Sequence, residues 1–127
     1  MFVVGVVFAL FMVAGLVFDG GAIIAGHRSA DTEAAGAARA AAEQLTPSSL
    51  RTAAPVIDAA GAQAAVNAYL AASGDRGTVT VDGDTVTVTV TVVVPMQLLS
   101  AVGVGPRTIT ATASAVGLVG NNNGVLP

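Results

Sequence analysis

Cysteine is missing from this chain of 127 residues, and with it any disulfide framework or cysteine-ligated metal site. An extracellular life stays open, because disulfides are an option there and not a requirement. Charge is scarce as well: 10% of residues are charged against 54% hydrophobic, too apolar for an ordinary soluble domain, so something must cover that surface. Lysine is absent, and the basic residues Arg28, Arg39, Arg51, Arg76 and Arg107 are scattered at a net charge of −3. No basic stripe exists to hold a nucleic acid backbone, so no nucleic acid partner is expected. The single histidine, His27, stands beside Arg28 just past an apolar segment, where a polar anchor is the preferred reading over a catalytic base. No HxxH, CxxC or clustered carboxylate pattern points to a metal. Asp82 and Asp84 flank Gly83 without the further acids of a calcium loop, so a tight turn is preferred there. Gly103-x-Gly105 runs into proline and a strand, which fails the phosphate-loop test, and the serines have no histidine placed to activate them. An enzyme is not expected, nor a metal or cofactor.

What is present begins at once: a wholly apolar run from Met1 to Phe18, with no basic residue ahead of it. As a helix, about 18 residues rise roughly 27 Å, close to the hydrocarbon thickness of a bilayer. A secretory signal peptide would show a basic n-region, a shorter apolar core and a small-residue cleavage site. Here the pattern continues helically past Asp19-Gly20-Gly21, so a retained span is the better reading. A short basic leader removed by processing would account for the missing n-region. Charge alone leaves the orientation undecided, since His27 and Arg28 follow the span among Asp31 and Glu33.

From Ser29 to Leu45 the helix becomes amphipathic. Ala30, Ala34, Ala37, Ala38, Ala41 and Leu45 form one narrow apolar stripe, with Arg28, Asp31, Arg39 and Glu43 on another side. Alanine favours helix and buries little area, which suits close backbone approach. The expected helix covers residues 1–45, roughly 66 Å, with residues 1–26 as membrane span or filament core. The alternative is two helices broken at Gly20-Gly21, each glycine costing ~1 kcal/mol relative to alanine. Small residues along the span, among them Gly5, Ala9, Ala14, Gly15, Gly21, Ala22, Ala25 and Gly26, would let helices pack side by side.

Residues 46–117 read as a small α+β domain. Thr46-Pro47 ends the first helix or starts a short turn, Pro55 marks a second start, and Val56 to Ala72 suggests a helix stopping at Ser73-Gly74. The period then changes to two. Thr78-Val79-Thr80-Val81 passes through Asp82-Gly83-Asp84 into an alternation from Thr85 to Val92, a β-hairpin with valines toward the helices and threonines toward water or another subunit. Met96 to Val102 predicts a helical turn or two, and Thr108 to Val116 a third strand beside the longer hairpin strand. Residues 118–127, with Asn121-Asn122-Asn123-Gly124, read as a flexible tail. The class is α+β: a long N-terminal helix, and a second helix packed on an antiparallel sheet of about three strands.

Gly15-Leu16-Val17-Phe18-Asp19-Gly20-Gly21, followed by Arg28, Asp31 and the alanine block Ala34 to Ala42, resembles the N-terminal signature of TadE/TadG-like proteins of tight-adherence pilus systems. Ile57-Asp58-Ala59-Ala60, Ala68-Tyr69-Leu70-Ala71, the Val/Thr hairpin, Val94-Pro95, Leu98-Leu99 and the closing Thr-rich strand are similar to the short actinobacterial-type members. The resemblance covers nearly the whole chain through motifs of low complexity. It implies a pilin-like subunit exported through a type IV pilus-related machine, polymerising through its helix into a thin surface pilus for adhesion. The implied partners are copies of itself, an inner-membrane assembly platform and a prepilin peptidase, with a membrane-inserted precursor and an extracellular, cell-surface product. The alternative is a monomeric membrane-anchored accessory or minor pilin acting as a binding or assembly module. The absence of lysine and of an LPxTG motif argues against a sortase-linked pilus, whose shaft needs lysine.

The residues expected at a subunit interface are Met1, Gly15, Asp19, Gly21, Ala25, Arg28, Ala30, Ala34, Ala37, Ala38 and Ala41. Type IV pilins usually carry their acid near the start of the mature helix, whereas the first acid here is Asp19, so that role is not carried over by position. Asp19 has only Gly15, Leu16, Ala22 and Ile23 as helical neighbours and so no partner on its own helix. A charge at mid-bilayer costs about 2.5 kcal/mol or more. Two readings stand: Asp19 at the headgroup boundary, or Asp19 meeting a cation of another subunit, the Met1 amine or Arg28.

Overall fold

The computed structural model describes residues 1–52 and 54–118. Its longest element is one helix, α1 (Phe2–Ala42), whose 41 residues reach about 62 Å. It runs unbroken through Gly20-Gly21. The ~1 kcal/mol penalty of each glycine is outweighed because the helix is held on both sides of that step, by buried Asp19 below and buried Gly26 above. α1 stops at Ala42, short of Leu45, because the chain turns there into extended pairing. Leu45 bridges Ile57, and the Thr46 amide donates to the Val56 carbonyl at 2.9 Å.

Two short elements follow. α2 (Ser49–Thr52) is a single turn, anchored by the buried Ser49 hydroxyl, which accepts from the Val56 amide at 2.8 Å and donates to the Val56 carbonyl at 3.1 Å. α3 (Ala59–Leu70) begins later than the proline suggests, since Val56 and Ile57 are engaged in the extended pairing. Its cap is Asp58, whose Oδ2 accepts from the Gly61 amide at 3.2 Å.

The sheet is an antiparallel meander in the order β1 (Arg76–Asp82), β2 (Thr85–Val94), β3 (Arg107–Val116). The β1–β2 turn is Gly83-Asp84, with Gly83 at φ 62, a conformation a side chain would oppose and two-residue hairpins require. Period-two burial follows the Val/Thr alternation: Val86, Val88, Val90, Val92 and Val94 are buried. On the other face Thr87 and Thr89 share hydrogen bonds with Ser114 and Thr112 of β3 at 3.0 and 3.1 Å. β3 lies beside β2, the longer hairpin strand, in register Val92↔Ile109.

The core lies between this valine face and the two longer helices. α1 contributes Ala30, Ala34, Ala37, Ala38, Ala41 and Ala42, α3 contributes Ala62, Val66 and Leu70, and Ile57, Met96, Ile109 and Ala111 complete it. Side chains this small bring the α1 backbone close to the sheet. At Gly26 even a Cβ would overlap a Val94 methyl and come within 2.9 Å of Ile109 Cδ1. Gly117 closes the domain by donating its amide to the Asp84 carbonyl at 2.7 Å. Residues 119–127, which hold most of the expected tail, lie outside the described residues.

Candidate assembly surface

The two ends of α1 live in different surroundings. Leu10, Phe11, Met12 and Val13, at roughly 100° steps, trace a full circumference of the helix, and they are exposed by 63%, 74%, 38% and 58%. No residue of this end is buried, and the 98–102 segment borders it along a groove shared with Phe8, Phe11 and Met12. From Gly15 onward one stripe is covered: Gly15, Asp19, Gly26, Ala30, Ala34, Ala37, Ala38, Ala41 and Ala42 are buried. α1 is a helix long and apolar enough to cross a membrane.

The lower end of the stripe is built by the segment that follows β2. It leaves the sheet where Val94 meets Gly26 and descends along α1 to Gly15, an axial distance of about 16 Å. There the side chains of Leu98 and Leu99 stand 3.4 Å from where a Gly15 Cβ would lie. Midway, Asp19 is fully buried. Its Oδ1 accepts from the Gln97 amide at 2.9 Å and its Oδ2 from the Leu99 amide at 2.7 Å, while the Leu98 amide lies 3.3 and 3.1 Å from the two oxygens. These amides open the 3-10 turn Leu99–Val102, so the carboxylate caps it as an N-cap residue caps a helix, but from a distant part of the chain. Donors converging on a carboxylate offset the cost of burying its charge.

The expected interface set therefore divides. Of the residues expected at a contact between subunits, Gly15, Asp19, Ala30, Ala34, Ala37, Ala38 and Ala41 are buried within the single chain. This stripe of α1 faces the chain's own sheet, α3 and the 95–104 segment. The Asp19 carboxylate is held by backbone amides of its own chain, those of Gln97, Leu98 and Leu99. Met1, Gly21, Ala25 and Arg28 are exposed, off the covered stripe, and His27 is exposed beside them.

The partners of Asp19 went unseen in the sequence, although a signal existed. Counting down from Ala30, the stripe continues at Gly26, Asp19 and Gly15 by steps of four, seven and four, which places Asp19 on the face its own domain covers. What it meets there is backbone, and backbone donors leave no trace in residue identity. No protein-family model matches the chain, and no curated protein and no solved structure is significantly similar to it.

Proposed function

We propose that the chain is a structural, pilin-like subunit that is inserted in a membrane through α1 and then polymerises through it into a thin adhesive surface filament. One observation carries this reading: the end of α1 around residues 2–14 is apolar and exposed around its whole circumference, while the rest is covered on one face only. Such a surface is not stable in water and must be covered by lipid, by other copies, or by each in turn; burial of apolar area contributes about 25 cal/mol per Å². A helix that protrudes from a small domain can pass from one cover to the other without refolding that domain. The resemblance to TadE/TadG-like sequences supports the same assignment, with export by a type IV pilus-related platform and processing by a prepilin peptidase. Exposed Met1, Gly21, Ala25 and Arg28 are then the part of the expected set most open to neighbours.

A second reading, a monomeric membrane-anchored accessory or minor pilin, draws support from the same division of residues. The alanine stripe and Asp19 serve the chain's own domain, so neither requires a second copy. Electron microscopy of sheared surface material, with the protein identified by mass spectrometry, separates the two. Thin filaments composed of this chain are expected. Retention of all of it in the membrane fraction, with no filament, would establish the anchored accessory instead.

A further inference from the structure

We infer that the segment Pro95–Val104 is a second membrane-contacting element, lying in the outer part of the same lipid leaflet that α1 enters; this rests on the membrane-inserted state of the proposed function. Three observations converge on lipid as the occupant of its apolar face. The first is position: Leu98, Leu99, Ala101 and Val102 share one groove with Phe8, Phe11, Met12 and Gly15, so the segment stands level with the apolar run of α1. A bilayer that takes up the helix to Phe18 meets this segment too. The second is charge: no Asp, Glu, Lys or Arg occurs from Thr85 to Pro106, so no ionised side chain on the segment resists desolvation.

The third is the backbone. Irregular chain enters hydrocarbon only where its polar groups find partners within the protein, and six amides of this segment have one. Asp19 accepts from the amides of Gln97, Leu98 and Leu99. The Ala101, Gly103 and Val104 amides donate to the carbonyls of Leu98, Ser100 and Leu99, at 3.3, 3.1 and 3.1 Å. The Ser100 hydroxyl donates to the Gln97 carbonyl at 3.2 Å. Asp19 thus acts as the acceptor that lets the segment leave water, and the segment in turn fixes how deeply α1 inserts.

The chain has no tryptophan, so single substitutions report without background. Leu98 and Val102 are 48% and 46% exposed, which lets Leu98→Trp and Val102→Trp be made without repacking the core. Each full-length variant would be reconstituted in phosphatidylcholine/phosphatidylglycerol vesicles containing acyl-brominated phosphatidylcholine, beside Phe8→Trp in the span and Thr112→Trp on the outer sheet face. The expected result is bromine quenching of the Leu98→Trp and Val102→Trp emission comparable to Phe8→Trp, with Thr112→Trp unquenched. Quenching of Phe8→Trp alone would overturn the inference and leave the anchored helix standing. Absence of quenching at Phe8→Trp as well would overturn both. A blue-shifted loop emission that bromine does not quench, and that reverts on diluting the protein in lipid, would assign the groove to a second copy and overturn the lipid assignment.

Discussion

The two ends of α1 are one continuous helix and obey opposite rules. Toward the N-terminus the side chains are large, apolar and uncovered; toward Ala42 they are mostly alanine, and the covered stripe has almost no accessible surface. Apolarity alone therefore does not decide what is buried here. Size does: alanines let the backbone come near enough to the valine face of β2 and to α3 for a small core to close, whereas Phe8 or Leu10 would hold the sheet away. The large side chains sit where the cover is external and tolerant of shape.

Asp19 stands where the two regimes meet, and removing it should break the comparison most severely. Asp19→Ala leaves the Gln97, Leu98 and Leu99 amides without their acceptor beside an apolar groove. We expect a loss of about 3 kcal/mol, read by chemical denaturation in detergent, together with new protease cleavage within residues 96–104. Unchanged stability and cleavage would show that the segment is held by its apolar contacts alone.

A matched pair of substitutions sharpens the difference between the ends. Ala37→Leu adds volume to a fully buried position and should cost about 2 kcal/mol. Val4→Ala, at a position 68% exposed, should change domain stability by less than about 0.5 kcal/mol. Equal effects at the two positions would mean that the exposed end is packed against something in the folded monomer.

Glycine gives the smallest contrast and the finest one. A methyl group added at Gly21 would meet nothing within 4 Å, so Gly21→Ala should stabilise by about 1 kcal/mol through helix propensity. Gly26→Ala has the same propensity gain, but its methyl must displace Val94 and Ile109, and the net should be a loss of about 1 kcal/mol. Thermal unfolding followed by circular dichroism reads both signs. The same sign at both positions would place the sheet farther from the helix than it stands here.

Much of the fold was legible because it follows from periodicity. The change from a helical stripe to Val/Thr alternation locates α1, the hairpin and β3, and the greater length of β2 tells where β3 pairs. The ends of elements were less legible: α1 stops before Leu45, and α3 starts after Pro55, because the extended pairing of Leu45 and Thr46 with Ile57 and Val56 joins residues distant in sequence. The candidate site was legible in part. Its stripe reads directly from the alanines, but the partner of the stripe does not, since alanine suits a neighbouring helix and the chain's own sheet equally.

By itself, then, the amino-acid sequence determined the class, the strand pairing and an apolar helix too long for the domain it carries, because each rests on the spacing of side chains along a regular backbone. Only the tertiary structure decided what Asp19 and the alanines meet within the chain. The donors that hold the carboxylate are main-chain amides brought from some eighty residues away, and a main-chain group is the same in every residue until the fold aims it.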